Sequence, residues 1–403
     1  VRVNPIPVVL TVAILVAGVF VSSTVAAVPP SGKAKAAWQV LIYLDADNNL
    51  DVYAGAHHLG IVQVDLDELM AVGSSDSVAV YALVDRWYGP ANLFKVLKGS
   101  LEEQTRWALN GQEVNMGDPA TLRSFVAYTS KASKAEHTLL VFWDHGTPNY
   151  VAWDDNTGVS DAPDTLTHKE VVAALSGYHV DVIAADECLV GQIEVAYEYY
   201  ATGLQTDYLV ASEGYTGWRG YPYDAILEEL TENPAMSARE LSIVIVEETY
   251  ELFAQPPYMS EVVNSHTAVD LGEVQAVADA LRGLTELMVP EMKSYAGIVT
   301  SARGGAQLSW GQPAISFIDL ERFLQGIADA AVPAEIRAAS LAALEALSAA
   351  VIGIQATHVT EKIVGGLGIY LSTQAWNVAW YEEYAFASQG WLDFLQAYWA
   401  ANG

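Results

Sequence analysis

The chain has 403 residues, 52% of them hydrophobic, enough for a large packed core and against global disorder. Its 19 Lys plus Arg stand against 49 Asp plus Glu, a net charge of −30. That excess of acid repels a phosphate backbone and excludes nucleic acid as a partner. It suits a cationic substrate, bound calcium, or solubility at high salt.

Arg2, the apolar run "VVLTVAILVAGVFV" (8–21) and the small residues Val25 and Ala27 read as a secretory signal over 1–27. The run is short for an anchor helix, so the expectation is a secreted protein that meets a membrane only through this segment, if it stays uncleaved. Residues 28–36, "VPPSGKAKA", read as a linker. Five apolar runs then end in polar or acidic residues: "WQVLIYLDADNN" (38–49), "DSVAVYALVD" (76–85), "HTLLVFWDHG" (137–146), "HVDVIAADEC" (179–188) and "DYLVASEG" (207–214). Continuous rather than alternating apolar runs predict strands buried on both faces, as in a parallel sheet.

Helices are predicted between them. Residues 61–73 carry apolar positions at helical spacing. Residues 117–133 open with Asp118 as N-cap and Pro119 at the first helical position. Two capping boxes, Thr167 with Glu170 and Ser237 with Glu240, start helices at 167–177 and 237–254. This alternation predicts a three-layer α/β domain over 37–260. Beyond 260 the short strand candidates "HTAVDLGEV", "AISFIDLERF" and "GGLGIYLS" alternate with Ala- and Leu-rich helices at 272–290 and 334–351. That pattern predicts an α+β region, 261–403, completing or flanking the first.

In an open parallel sheet, function gathers at the carboxyl ends of the strands. Four predicted strands end in Asp45 and Asp47, in Asp144–His145, in Asp186–Glu187–Cys188, and in Ser212–Glu213. His145 and the single cysteine, Cys188, thus fall on one rim, an arrangement for nucleophilic catalysis. The residues after Cys188, "LVGQIEVAYEYY", have helical spacing, which would set the thiol at a helix N-terminus and favour thiolate. Asp186 and Glu187 oppose this, so a protonated His145 is expected to offset them. Gly146 lets a backbone N–H approach a substrate closely and suits an oxyanion site. The other seven histidines, His57, His58, His137, His168, His179, His266 and His358, are read as structural or surface residues. His57–His58 lacks a third ligand at a sensible spacing, and no metal site is expected from it. No G-x-S-x-G, H-E-x-x-H or Walker pattern occurs.

At these residues the sequence resembles the clostripain-like cysteine peptidases (family C11, clan CD), relatives of the gingipains, caspases and legumains. The matching pieces are "WQVLIYLDADNNLD", "NMGDPATLRSFV", "VFWDHG", "DVIAADECLVGQIEVAYE", "YLVASEGYTGWRGYPYD" and, weakly, "WLDFLQAYW". The resemblance implies a caspase-like three-layer αβα sandwich with a mostly parallel central sheet. It implies that Cys188 is the nucleophile, that His145 protonates the leaving amine, and that the amides of Gly146 and Cys188 hold the oxyanion. It also implies a preference for Arg or Lys at P1, with Asp186 as the specificity acid and Glu213 as a further pocket wall. No cofactor is required on this reading. Calcium is possible, since some members need it, and the acidic loop 153–165 could hold it but lacks EF-hand spacing.

Three departures from the family pattern stand out. Thr147, Pro148, Asn149 and Tyr150 replace glycines and Trp after His-Gly, and Glu187 stands where a small residue is common. Some members cut themselves after a basic residue between the two motifs. Here the only such residue is Lys169, within a predicted helix. A non-catalytic exported binding module that retains the fold is therefore the alternative to a secreted endopeptidase.

Overall fold

All five apolar runs are strands of one sheet in the computed structural model. It describes residues 35–52, 60–158, 162–257, 264–307, 316–357, 364–375 and 378–402. The expected signal at 1–27 and most of the linker lie outside the described residues, as do His57, His58 and His358. The strands are β1 (Ala36–Ala46), β2 (Val78–Arg86), β3 (Asn92–Leu97), β4 (Ser100–Glu103), β5 (Ala135–Trp143), β6 (Tyr150–Asp154), β7 (Asp164–Thr167), β8 (Val182–Asp186), β9 (Tyr208–Ser212), β10 (Asn264–Asp270), β11 (Phe317–Asp319), β12 (Val351–Thr357) and β13 (Gly368–Tyr370).

The central sheet has the order β12-β10-β9-β8-β5-β1-β2-β3-β4. Its middle, β2-β1-β5-β8-β9, is parallel throughout, and antiparallel strands close both edges. The second half of the chain supplies one edge: β10 pairs antiparallel with β9, and β12 with β10. Two small antiparallel pairs, β6 with β7 and β11 with β13, lie outside this sheet.

The alternation along β1 explains the layers. Trp38, Val40, Ile42 and Leu44 face one apolar cluster, shared with the helices Ile61–Val72, Tyr223–Glu232 and Ala238–Phe253. Leu41 and Tyr43 face the other, shared with the helices Pro119–Ala132, His168–Leu175, Ile193–Ala201 and Val274–Met288. A sheet apolar on both faces needs a helical layer on each, which gives an αβα sandwich. Every apolar residue from Val40 to Leu44 is at most 2% exposed, as the continuous run predicts.

The helix starts follow their caps. Asp118 accepts from the Ala120 N–H, and both capping boxes, Thr167/Glu170 and Ser237/Glu240, are closed. Because the five central strands run in parallel, their carboxyl ends share one rim, and the crossover helices return the chain to the opposite one.

Candidate active site

The register of β5 and β8 sets the site. Trp143 pairs with Asp186 as the last rung of that ladder, so His145 and Cys188 each stand two residues past it on neighbouring strands. Gly146 packs directly on the β8 end: a Cβ there would lie 2.5 Å from Glu187 Oε2 and 2.8 Å from Val190 Cγ2. Only glycine fits that contact, so the interval after His145 is fixed by packing as well as by any chemistry.

His145 is half-buried, and its Nε2 lies 2.9 Å from Asn49 Oδ1. An amide oxygen accepts, so the ring proton belongs on Nε2 and Nδ1 is left as the base. Burial holds the imidazole below its ordinary value, with Asp155 pulling weakly the other way. Asn48, the preceding residue, donates from Nδ2 to Asp144 Oδ1 (2.6 Å) and to the Trp153 carbonyl (2.9 Å). Asp144 Oδ2 accepts from the Trp153 N–H. The turn after β1 therefore fastens the end of β5 through two adjacent asparagines. Composition and spacing drew attention only to the acids of "DADNN"; the paired amides after them were the missed signal.

The chain past His145 is anchored too. His168 is buried, with Nδ1 2.9 Å from Tyr199 Oη and Nε2 3.2 Å from the Thr147 carbonyl. Tyr384, from the C-terminal half, donates to the Pro148 carbonyl. His266 pairs with Ser212 at the end of β9 but is buried against the Tyr221 ring, and His137, near the start of β5, pairs with Asp181 at 2.6 Å.

Cys188 does not stand at a helix N-terminus as its sequence context suggested. The helix begins at Ile193, with Gln192 as N-cap. Leu189 is left-handed, at φ 63°, a conformation that costs a branched residue about 1–2 kcal/mol. Its N–H is held by the Gly214 carbonyl at 2.8 Å. Gly191 meets the backbone of Ser212 and Glu213, where a Cβ would be 2.7 Å away, and Gln192 bridges to Gly368. Docking of Gly191 and Gln192 against β9 and β13 thus holds the residues after Leu189 out of the helix and delays its start to Ile193, which removes the dipole argument for thiolate.

The thiol instead has Thr216, whose N–H lies 3.4 Å and hydroxyl 3.6 Å from Sγ. Burial raises the Cys188 thiol; the Thr216 bonds pull it back, and Glu187 and Asp186 push it further up. Glu187 is itself buried and well above its ordinary value for the same reason. Its Oε1 accepts from the Ala152 N–H at 3.4 Å. The shifts of both groups therefore favour the neutral thiol and the neutral ring.

Asp186 is 7% exposed, and its Oδ2 accepts from the Tyr221 N–H and the Tyr223 hydroxyl, both at 2.9 Å. Burial lifts its carboxyl to about 6, and the two hydrogen bonds pull the other way. Gly220, at φ +65°, passes so close that a Cβ would lie 2.6 Å from Oδ2. The loop carrying these groups is tied to the helix Ile61–Val72 by Arg219, which pairs with Asp65 at 3.0 Å and with Glu68. Trp218 on that loop is 41% exposed. Glu213, the second expected pocket residue, is turned elsewhere. It is fully buried, its Oε1 accepts from the Gly366 N–H at 3.3 Å, and burial and Asp319 raise its carboxyl. It meets the C-terminal half and offers no free face to a ligand.

Comparison with known proteins gives a family model, the clostripain family of C11 peptidases, that matches residues 42–399. Clostripain from Hathewaya histolytica is 30% identical over 227 residues, 47% of this chain and 41% of that protein. The match thus spans about two fifths of the relative's length. Among solved structures, an inactive zymogen C11 protease from Parabacteroides distasonis superposes with a TM-score of 0.67 at 18% identity, covering 88% of this chain and 98% of that one. A secreted C11 cysteine protease from Bacteroides thetaiotaomicron, in complex with an irreversible peptide inhibitor, gives 0.64 at 17% identity, covering 88% and 99%. The αβα sandwich is the caspase-like fold of these proteins.

Proposed function

The chain belongs to the clostripain family, and from that premise we propose that it is an exported cysteine endopeptidase that hydrolyses peptide bonds after Arg or Lys. The observation that carries the reading is the placement of His145 and Cys188 at equal register past the last rung of β5 and β8. His145, held by Asn49 through Nε2, takes the thiol proton on Nδ1 as sulfur attacks the scissile carbonyl. The amides of Gly146 and Cys188 receive the negative charge on the carbonyl oxygen. The imidazolium then protonates the leaving amine, and water hydrolyses the thioester with His145 again as base. Starting from a neutral pair, proton transfer and attack occur together, so no standing thiolate is needed.

Asp186 supplies the preference for a basic side chain. Two donors already occupy Oδ2, which orients the carboxylate toward an incoming guanidinium or ammonium. Export rests on the apolar run 8–21 and the small residues after it. Among the described residues no helix is long and apolar enough to cross a membrane.

Fluorogenic peptides with Arg, Lys, Asp or Leu at P1, assayed with wild type and Cys188→Ala, test the proposal. Cleavage after Arg and Lys that disappears in the variant is expected. Activity surviving Cys188→Ala would remove the role of Cys188, and no activity on any peptide would remove the proposal and favour the non-catalytic binding module. Cleavage after Asp alone would keep the nucleophile and discard the role of Asp186.

A further inference from the structure

A peptide lying across the rim has a direction, and the residues proposed for the chemistry fix it. With Cys188 as nucleophile, the scissile carbonyl sits at the end of β8, and the P1 side chain turns toward Asp186 and the loop after β9. His145, which protonates the leaving amine, stands past the end of β5. The residues after the scissile bond therefore leave over β5 toward β1 and β2, the next strands in the sheet on that side. Side-chain contacts run the same way. His145 Nε2 meets Asn49 Oδ1 at 2.9 Å, and Asp51 lies two residues further on. Both oxygens of Asp51 accept from Arg86, the last residue of β2, at 2.5 and 3.1 Å.

Directly after Arg86 come Trp87 and Tyr88, 36% and 82% exposed. Tyr88 is the most exposed large hydrophobic side chain among the described residues. Apolar residues scattered singly on a surface need no explanation, but these two are adjacent and stand on a braced bend. Arg86 is fixed by Asp51 at one end. At the other, the Ala91 N–H donates to the Gln112 carbonyl and the Gly111 N–H to the Ala91 carbonyl, both at 2.9 Å. Between the two anchors Gly89 takes a positive φ of 108°, which a side chain would resist. Aromatic rings presented in this way lose little freedom on binding, which is why Trp and Tyr are enriched in interfaces. Asp51 compensates the Arg86 charge, so the bend offers ring faces rather than a cation.

We infer that Trp87 and Tyr88 form a primed-side subsite for an apolar or aromatic side chain of the peptide substrate, roughly three to four residues beyond the scissile bond. Two strand spacings, about 10 Å, separate β5 from β2, and an extended peptide covers about 3.3 Å per residue. A chain whose first primed residue lies at His145 thus reaches the bend after about three more steps of the backbone. The subsite rests on the peptidase reading and on the direction of attack it implies.

Two kinds of substrate, identical through an Arg at P1, test it. One carries a fluorogenic leaving group in place of P1′. The other continues to P5′ as an internally quenched peptide, with Phe, Leu, Gly or Asp at P3′ and P4′. In wild type, Phe and Leu are expected to lower KM of the extended peptide by about three- to tenfold relative to Gly and Asp, with little change in kcat. That preference should disappear in the double variant Trp87→Ala/Tyr88→Ala and partly return in Trp87→Phe/Tyr88→Phe. The ratio of kcat/KM for the Phe-extended peptide to that for the short substrate should fall with it. A wild type indifferent to P3′ and P4′, or a preference that survives the double alanine variant, would overturn the inference. Loss of a dimer on a sizing column in that variant, with the preference intact, would assign the rings to contact between copies of this chain and overturn it equally. Cleavage of neither substrate by wild type would defeat the peptidase reading and the subsite with it, whereas cleavage that ignores the primed residues removes the subsite alone.

Discussion

Asp186 sits at the balance point between a buried carboxyl and a usable anion. Burial lifts it to about 6, while the Tyr221 and Tyr223 bonds favour its ionised form. A guanidinium pairs with the carboxylate and not with the neutral acid, so the sign is fixed. On the proposed role of Asp186, binding of an Arg substrate is expected to be complete above about pH 6 and to weaken as pH falls through it. KM for an Arg peptide is expected to rise on the acid side of about pH 6 in wild type. In Asp186→Asn that dependence should vanish, with kcat/KM lower by roughly 2–5 kcal/mol, the usual cost of removing one partner of a buried charge pair. Steady-state kinetics across that range decide it; a KM that stays flat in wild type would detach Asp186 from substrate. On the proposed mechanism the acid limb of kcat is expected to report His145 instead. Since burial lowers that ring, the limb should fall below the ordinary imidazole value of about 6.5.

The loop from β9 to the helix Tyr223–Glu232 carries most of what surrounds Asp186, and Gly220 is its tightest point. A side chain there would meet both a left-handed backbone and a carboxylate oxygen 2.6 Å away. Gly220→Ala is therefore expected to cost more than about 1 kcal/mol of stability and to raise KM for basic peptides by displacing Asp186. Thermal melts and kinetics on the same preparation check it, and unchanged values in both would mean that the loop yields freely. The same element shows where the sequence was legible. Apolar runs gave strands because both sheet faces are covered, and the boxes at Thr167 and Ser237 gave helix starts because capping is local chemistry. The delayed helix after Cys188 was not legible, because docking of Gly191 and Gln192 on distant strands overrides local spacing. The inward turn of Glu213 was hidden for the same reason: Asp319 and Gly366 lie more than a hundred residues away.

Across the whole molecule, the C-terminal half is built into the first rather than appended. It adds β10 and β12 to the sheet, and its Tyr370 N–H and Tyr381 hydroxyl donate to the buried Glu194 at 2.9 and 3.0 Å. Tyr384 reaches the turn after His145. The parallel pairing of β5 with β8 has a further consequence for covalent continuity. Between them the described residues 147–158 and 162–178 lie outside the sheet, while the two strands are zipped from Leu139–Val182 to Trp143–Asp186 and flanked by β1 and β9. Lys169, the basic residue of that stretch, is exposed in the helix His168–Leu175, which shields its backbone from a protease. A break between β6 and β7 would leave two polypeptides sharing one sheet. Limited proteolysis there should yield two bands on a denaturing gel but one native-sized peak on a sizing column; two separated peaks would contradict it. The polypeptide link between the histidine and cysteine strands is then dispensable once folding is done, and their mutual position is inherited by a noncovalent pair.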